Sequence, residues 1–146
     1  MLVEAIVACI VVSFFIVGYY IWTGIPPGAR LVEQVRPIDT GLEDHQSTCM
    51  FFYVPWCPHC KTAKAAWASL KQVVKNENLQ YGGKTVSFQD VNGDVDKGKT
   101  ALYAIRAYPT FKLQTKDKLY EMVGPPTVTN FRSFLKQALG DEKSSH

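Results

Sequence analysis

No block of like charge, no low-complexity stretch and no internal repeat interrupts this chain, and each absence removes a class of protein. Sixteen Lys and Arg stand against thirteen Asp and Glu, a net charge of +3 spread along 146 residues. A nucleic-acid binder would gather such cations into a patch, and a disordered tail would gather acids into a run. Cysteine is sparse too: Cys9, Cys49, Cys57 and Cys60 are too few and too unevenly placed for a secreted scaffold stapled by disulfides. Zinc is excluded on ligand count, because there is no second Cys-x-x-Cys and no neighbouring pair among three histidines. Apart from an apolar N-terminal run, about 115 residues remain, enough to bury one core unaided.

That run, Ala5 to Trp22 (AIVACIVVSFFIVGYYIW), carries no charge. It has about the 18 to 20 residues that a helix needs to cross bilayer hydrocarbon. Tyr19, Tyr20 and Trp22 gather at its end, where amphipathic rings favour the headgroup level, and Gly24-Ile25-Pro26-Pro27-Gly28 stops the helix. A cleaved signal would begin with a positive region; Glu4 is acidic and the apolar segment exceeds an ordinary signal core. A core helix of a soluble domain is excluded because so small a domain cannot cover a helix apolar all round. The expected organisation is an anchor over residues 1–24, in the membrane through 5–22, and a linker over 25–30. A domain over 31–140 and a frayed polar tail over 141–146 complete it. Arg30 and Arg36 follow the run and Glu4 precedes it, so the positive-inside rule points to a cytosolic domain, while two arginines leave the side of the membrane open. Two arginines identify neither the membrane nor its organelle. Within the run Cys9 reads as a small residue facing lipid or another helix, with palmitoylation as the alternative.

The domain alternates strand and helix. Leu31 to Val35 reads as a short strand, Thr40 to Ser47 as a helical turn or loop, and Thr48 to Val54 as a central strand covered on both faces. Cys49, inside that strand, is expected to be buried and inert. Pro58 suits a first helical turn, and Ala63, Ala66, Trp67, Leu70, Val73 and Val74 recur at helical spacing. Asn76 to Lys84 is expected to be loop, Thr85 to Val91 a second central strand, and Asp96 to Ile105 a helix. Thr110–Gln114 and Leu119–Val123 form a hairpin, and Val128–Leu139 is an amphipathic helix ended by Gly140. The alternation implies an α/β fold, a central mixed sheet flanked by helices.

Two thiols separated by two residues at a helix start can close a disulfide while leaving the first sulfur exposed. Backbone amides and the positive end of the helix dipole favour a thiolate on Cys57, the nucleophile. Cys60, one turn further in, stays protonated and resolves the mixed disulfide. Pro58 and His59, between them, adjust the balance; an imidazole so near Cys57 favours its thiolate and an oxidising couple. The bland alternative for His59 is an exposed turn residue.

Phe52-Tyr53-Val54-Pro55-Trp56-Cys57-Pro58-His59-Cys60-Lys61 resembles the active-site segment of thioredoxin-like proteins, closest to the catalytic domains of protein disulfide isomerases. In those a Pro-Trp or similar dipeptide precedes the cysteines and a lysine follows. The inner Pro58-His59 is similar instead to the bacterial periplasmic oxidants of the DsbA type. Further on, Ala104-Ile105-Arg106-Ala107-Tyr108-Pro109-Thr110-Phe111 resembles the segment carrying the family's cis-proline. By that resemblance Pro109 is the cis-proline, and Trp56, Tyr108 and Pro109 receive substrate. A cis X-Pro bond also turns the chain tightly enough to bring backbone groups beside the disulfide. Arg106 matches an arginine that in isomerases approaches the resolving cysteine; its alternative is a solvated helix end. There is one departure: where the family carries a buried carboxylate six residues before the first cysteine, this chain has Phe51. The usual proton acceptor for Cys60 is thereby missing.

The resemblance implies a thiol-disulfide oxidoreductase acting on protein thiols and disulfides, with a thiol redox partner and no cofactor. The competing function is a client-binding or escort module whose redox turnover is incidental.

Overall fold

A computed structural model describes residues 1–23, 32–35 and 41–145. The chain divides into two compact units, Met1–Arg30 and Leu31–His146. In the first, α1 runs over Leu2–Thr23, beginning three residues before the uncharged run, with Glu4 in the first turn where a carboxylate suits the helix dipole. Its 22 residues extend about 33 Å at 1.5 Å per residue, against about 30 Å of bilayer hydrocarbon. Leu2–Trp22 has a mean hydropathy of 2.4 and no buried part, so the helix is long and apolar enough to cross a membrane. The helix-stopping segment 24–28, the linker 25–30 and the arginines of the orientation argument, Arg30 and Arg36, lie outside the described residues.

In the second unit β1 (Val32–Val35), β2 (Gln46–Tyr53) and α2 (Pro58–Asn76) are followed by β3 (Leu79–Tyr81) and β4 (Thr85–Asn92). Then come α3 (Lys97–Leu102), β5 (Thr110–Gln114), β6 (Leu119–Met122), α4 (Val128–Leu139) and β7 (Glu142–Ser144). The five-stranded sheet has the order β1-β6-β5-β2-β4. β2 runs parallel to β4 and antiparallel to β5, and β6 is antiparallel to both β5 and β1, so the expected mixed sheet is present.

Alternation along the strands sends side chains to two buried faces. From β2 and β5, Phe51 and Phe111 point to the side of α2 and α4, where Trp67 touches Phe51, Phe88, Phe111 and Phe131 at ring separations of 5.3–5.8 Å. On the other side Met50, Phe52, Val91 and Leu119 meet Tyr103. Lys112 is also buried and pairs with Glu121 of β6 at 2.9 Å.

Four local expectations need correction. β2 starts at Gln46, two residues earlier than read, because parallel pairing begins with Gln46 opposite Thr85; residues 41–45 make the turn before it. α3 is six residues long and not the ten of Asp96–Ile105. Asp96 caps it by accepting from the Lys99 amide, but Ala104 has φ +52°, a left-handed backbone that no α-helix continues. The expected loop 76–84 contains β3, and the expected frayed tail contains β7, paired antiparallel to it. Polar side chains make that second sheet: the buried Tyr81 hydroxyl donates to Glu142 at 2.6 Å, and Arg132 of α4 grips the same carboxylate. The chains cross at Gly82 and Gly140, where a Cβ on Gly82 would meet the Leu139 carbonyl at 1.9 Å.

Candidate active site

β2 ends at Tyr53, a turn over Val54, Pro55 and Trp56 reverses the chain, and α2 starts. Cys57 is the N-cap of α2 with extended backbone, φ −84° and ψ 120°, and Pro58 follows in the first turn. The Cys57 amide donates to the Val54 carbonyl at 3.3 Å, and its carbonyl accepts from Lys61 at 3.3 Å. In the usual N-cap manner, Cys57 Sγ accepts from the Cys60 amide at 3.4 Å.

The two thiols are held apart in acidity. A hydrogen bond from the Cys60 thiol, aided by the main-chain amides of Cys60 and His59 and opposed by partial burial, holds Cys57 below the usual thiol value. Burial above all, joined by the neighbouring Cys57, pushes Cys60 up to about 11. The His59 ring is exposed; its main-chain amide is what favours the thiolate. Cys49 is wholly buried and its thiol is pushed far up by desolvation, whereas Cys9 lies exposed on α1.

Across from Cys57 the Tyr108–Pro109 peptide is cis. The Cys57 thiol donates weakly to the Tyr108 carbonyl at 3.8 Å, so the main chain of that turn sits beside the sulfur. Tyr108 is half-buried and packs on both the Val54-Cys57-Cys60 cluster and the Met50-Phe52-Val91 cluster. Trp56 projects from the surface at 71 % exposure next to Cys57. Cys57, Cys60, Pro58, His59, Trp56, Tyr108 and Pro109 are thus brought to one end of the sheet, where the parallel strands β2 and β4 finish.

Arg106 lines a different cavity from Cys60. It lines a cavity of about 390 Å³ with Thr110, Lys112 and Glu121. Cys60 opens instead onto a cavity of about 300 Å³ with Tyr53, Pro55, Lys64 and Asn92, where Lys64 Nζ stands 5.5 Å from the Tyr53 ring centre. Asn92 is a site neighbour that the sequence does not single out; it and Tyr53 are the last residues of their strands, and the parallel register sets them side by side.

Phe51 is 1 % exposed and stacks on Phe111 at 4.8 Å and on Tyr53 at 5.3 Å. A carboxylate does exist at this level of the sheet, but one strand over: Asp90 is paired with Phe51. Asp90 accepts from Trp67 Nε1 at 2.6 Å and from Lys71 at 3.2 Å. Trp67 lies seven residues beyond Cys60, about 10 Å along the helix, so this carboxylate is spent on α2 packing. Among the described residues no three His, Cys, Asp or Glu side chains gather as a metal site would need. The chemistry available is that of a dithiol with one acidified and one protonated member.

Comparison with known proteins agrees with this geometry. The thioredoxin family model matches residues 35–137. A thioredoxin domain-containing protein of Theileria parva is 38 % identical over 95 residues, which cover 64 % of this chain and 38 % of that one. Mouse protein disulfide-isomerase A2 is 25 % identical, with 75 % of this chain and 20 % of its own length covered. The chain therefore spans well under half the length of these relatives. Human ERp44 superimposes with a TM-score of 0.57 at 23 % identity, over 67 % of this chain and 29 % of its own, a likeness of fold. The family match runs from β1 into α4, well over half of the chain, and shows that this protein belongs to the thioredoxin family.

Proposed function

We propose that the chain is a membrane-anchored thiol-disulfide oxidoreductase that exchanges disulfides with protein substrates through Cys57 and Cys60. The observation that carries this reading is the seat of Cys57 Sγ, at a helix N-cap with the Tyr108 carbonyl across from it. The isomerase names of several relatives support the substrate class. In the reductive direction the Cys57 thiolate attacks a substrate disulfide; a Cys57–substrate bond forms, the substrate S–S bond breaks, and the departing thiolate takes a proton from water. Cys60 then loses its proton and attacks Cys57 Sγ, releasing the second substrate thiol and leaving Cys57–Cys60 oxidised. Oxidation of a client runs these steps backwards, and a thiol redox partner resets the pair. No cofactor takes part.

Trp56, Tyr108 and Pro109 receive the client strand, Pro58 and His59 bias the couple toward oxidant, and Arg106 acts on Cys60 only by swinging out of its present cavity. Residues 1–24 anchor the domain of residues 31–140 through the linker 25–30, with 141–146 as a polar tail. One observation favours the escort reading as second choice: Phe51 denies Cys60 the family's proton acceptor, which slows resolution and prolongs the mixed disulfide.

Equilibration of the full chain in detergent against glutathione buffers, with Cys57→Ser as control, tests the proposal. A reversible two-electron couple that Cys57→Ser abolishes supports it. A pair that never cycles, while clients still bind, would hand the function to the escort reading.

A further inference from the structure

We infer that Gly93 is a positioning residue for the exchange reaction: its missing side chain forms the notch that seats the Tyr108 ring, and so sets the Tyr108 carbonyl at its distance from Cys57. The inference rests on the oxidoreductase reading above. Gly93 follows directly on β4, and its amide donates to the Tyr53 carbonyl at 2.7 Å, tying it to the strand that leads into Cys57. A Cβ built there would lie 2.3 Å from Tyr108 Oη, 2.6 Å from Cζ and 2.7 Å from Cε1. The Gly93 backbone is not among the positive-φ glycines. The position therefore uses the absence of a side chain, not the conformational freedom of glycine.

The ring has little room to retreat. It packs on the Phe52-Val91-Tyr103 side and on the Val54-Cys57-Cys60 side at once. An added methyl group displaces the ring, and the displacement passes to the residue-108 main chain, whose carbonyl stands 3.8 Å from Cys57 Sγ. Among the described residues a second close approach, of Gly82 to Leu139 and Gly140, belongs to the β3–β7 crossing. Gly98, whose Cβ would meet nothing nearer than 3.9 Å, serves as the control.

Two reagents on the full chain in detergent test this: iodoacetamide, which needs no backbone pairing, and a short peptide with an activated mixed disulfide, which needs it. Gly93→Ala is expected to change Cys57 alkylation by less than about twofold but to slow the peptide roughly 10- to 100-fold, the cost of a misplaced pairing group. Gly98→Ala should change neither. In a Tyr108→Ala background Gly93→Ala should cause no further loss, since the notch is then empty. Should Gly93→Ala unfold the chain by circular dichroism, the double variant decides alone: it must fold and react as Tyr108→Ala does. Equal slowing of both reagents, no slowing of the peptide, or an additional loss in the Tyr108→Ala background overturns the inference. Failure of the wild-type chain to react with the peptide would instead sink the oxidoreductase reading.

Discussion

Restoring the family's carboxylate by Phe51→Glu should damage this protein, not improve it. Phe51 is 1 % exposed and has ring neighbours at 4.8, 5.3 and 5.5 Å. Deleting a ring from such a site costs about 3–5 kcal/mol. A buried carboxyl group with no partner adds about 1–3 kcal/mol, because Asp90, Lys71 and Trp67 already satisfy one another. The sum, about 4–8 kcal/mol, rivals the whole stability of a small domain, about 5–15 kcal/mol. The sign of the pH dependence follows. Burial raises the new carboxyl's native pKa above its unfolded value of about 4.3, so the variant is best preserved below that pH and loses stability as pH rises toward the native pKa. Urea unfolding followed by tryptophan fluorescence between pH 4 and 8 measures both quantities. A Phe51→Glu chain within about 1 kcal/mol of wild type at neutral pH, or one whose loss is independent of pH, would refute the argument and mean that the aromatic stack accommodates the charge.

Three further outcomes are expected. Iodoacetamide labelling read by mass spectrometry should modify Cys57 with a midpoint below the ordinary 9.0, Cys60 only toward pH 11, and Cys49 not at all while the chain is folded; early labelling of Cys60 would contradict the site. The Arg132–Glu142 pair holds the Glu142 carboxyl below its usual value, so it stabilises the β3–β7 sheet at neutral pH, an effect lost as pH falls through the lowered native pKa. Glu142→Gln should therefore cost about 1–2 kcal/mol near pH 7, discounted for partial exposure, with thermal melts converging on wild type in acid. If α1 spans a bilayer, Val11→Asp with Phe14→Asp, each about 2.5–3.5 kcal/mol at mid-span, should release the chain on alkaline extraction of membranes; unchanged retention would count against a spanning helix.

The chemistry was more legible in the sequence than the packing was. Cys57-Pro58-His59-Cys60 and Tyr108-Pro109 announce themselves because the short spacing and the proline act locally, and the structure sets them face to face. α4 is equally plain, since Thr127 caps one end and Gly140 the other. What stayed hidden depends on contacts distant in sequence. Glu142, Lys143 and Ser144 look like a frayed tail until Tyr81 and Arg132 are placed beside them. The early end of α3 follows from the left-handed backbone at Ala104, a residue type that gives no warning of it. Arg106 was aligned with the active site by motif, yet its side chain belongs to the cavity beside Lys112. Nothing local in the sequence marks Gly93, since the ring that occupies its notch is fifteen residues away.

The buried Lys112 acts as a lock on strand alignment. In β5, Phe111 and Leu113 point one way and Lys112 the other, toward Glu121. A slip of β5 by one residue would exchange the two faces, driving an ammonium group into the rings of Trp67 and Phe131 and leaving the Glu121 carboxylate opposite a phenyl ring. A buried charge stripped of its partner costs several kcal/mol, so the misaligned hairpin is selected against far more strongly than an all-apolar strand would be. Because β5 begins at the residue after Pro109, that single permitted alignment also determines which carbonyl faces Cys57.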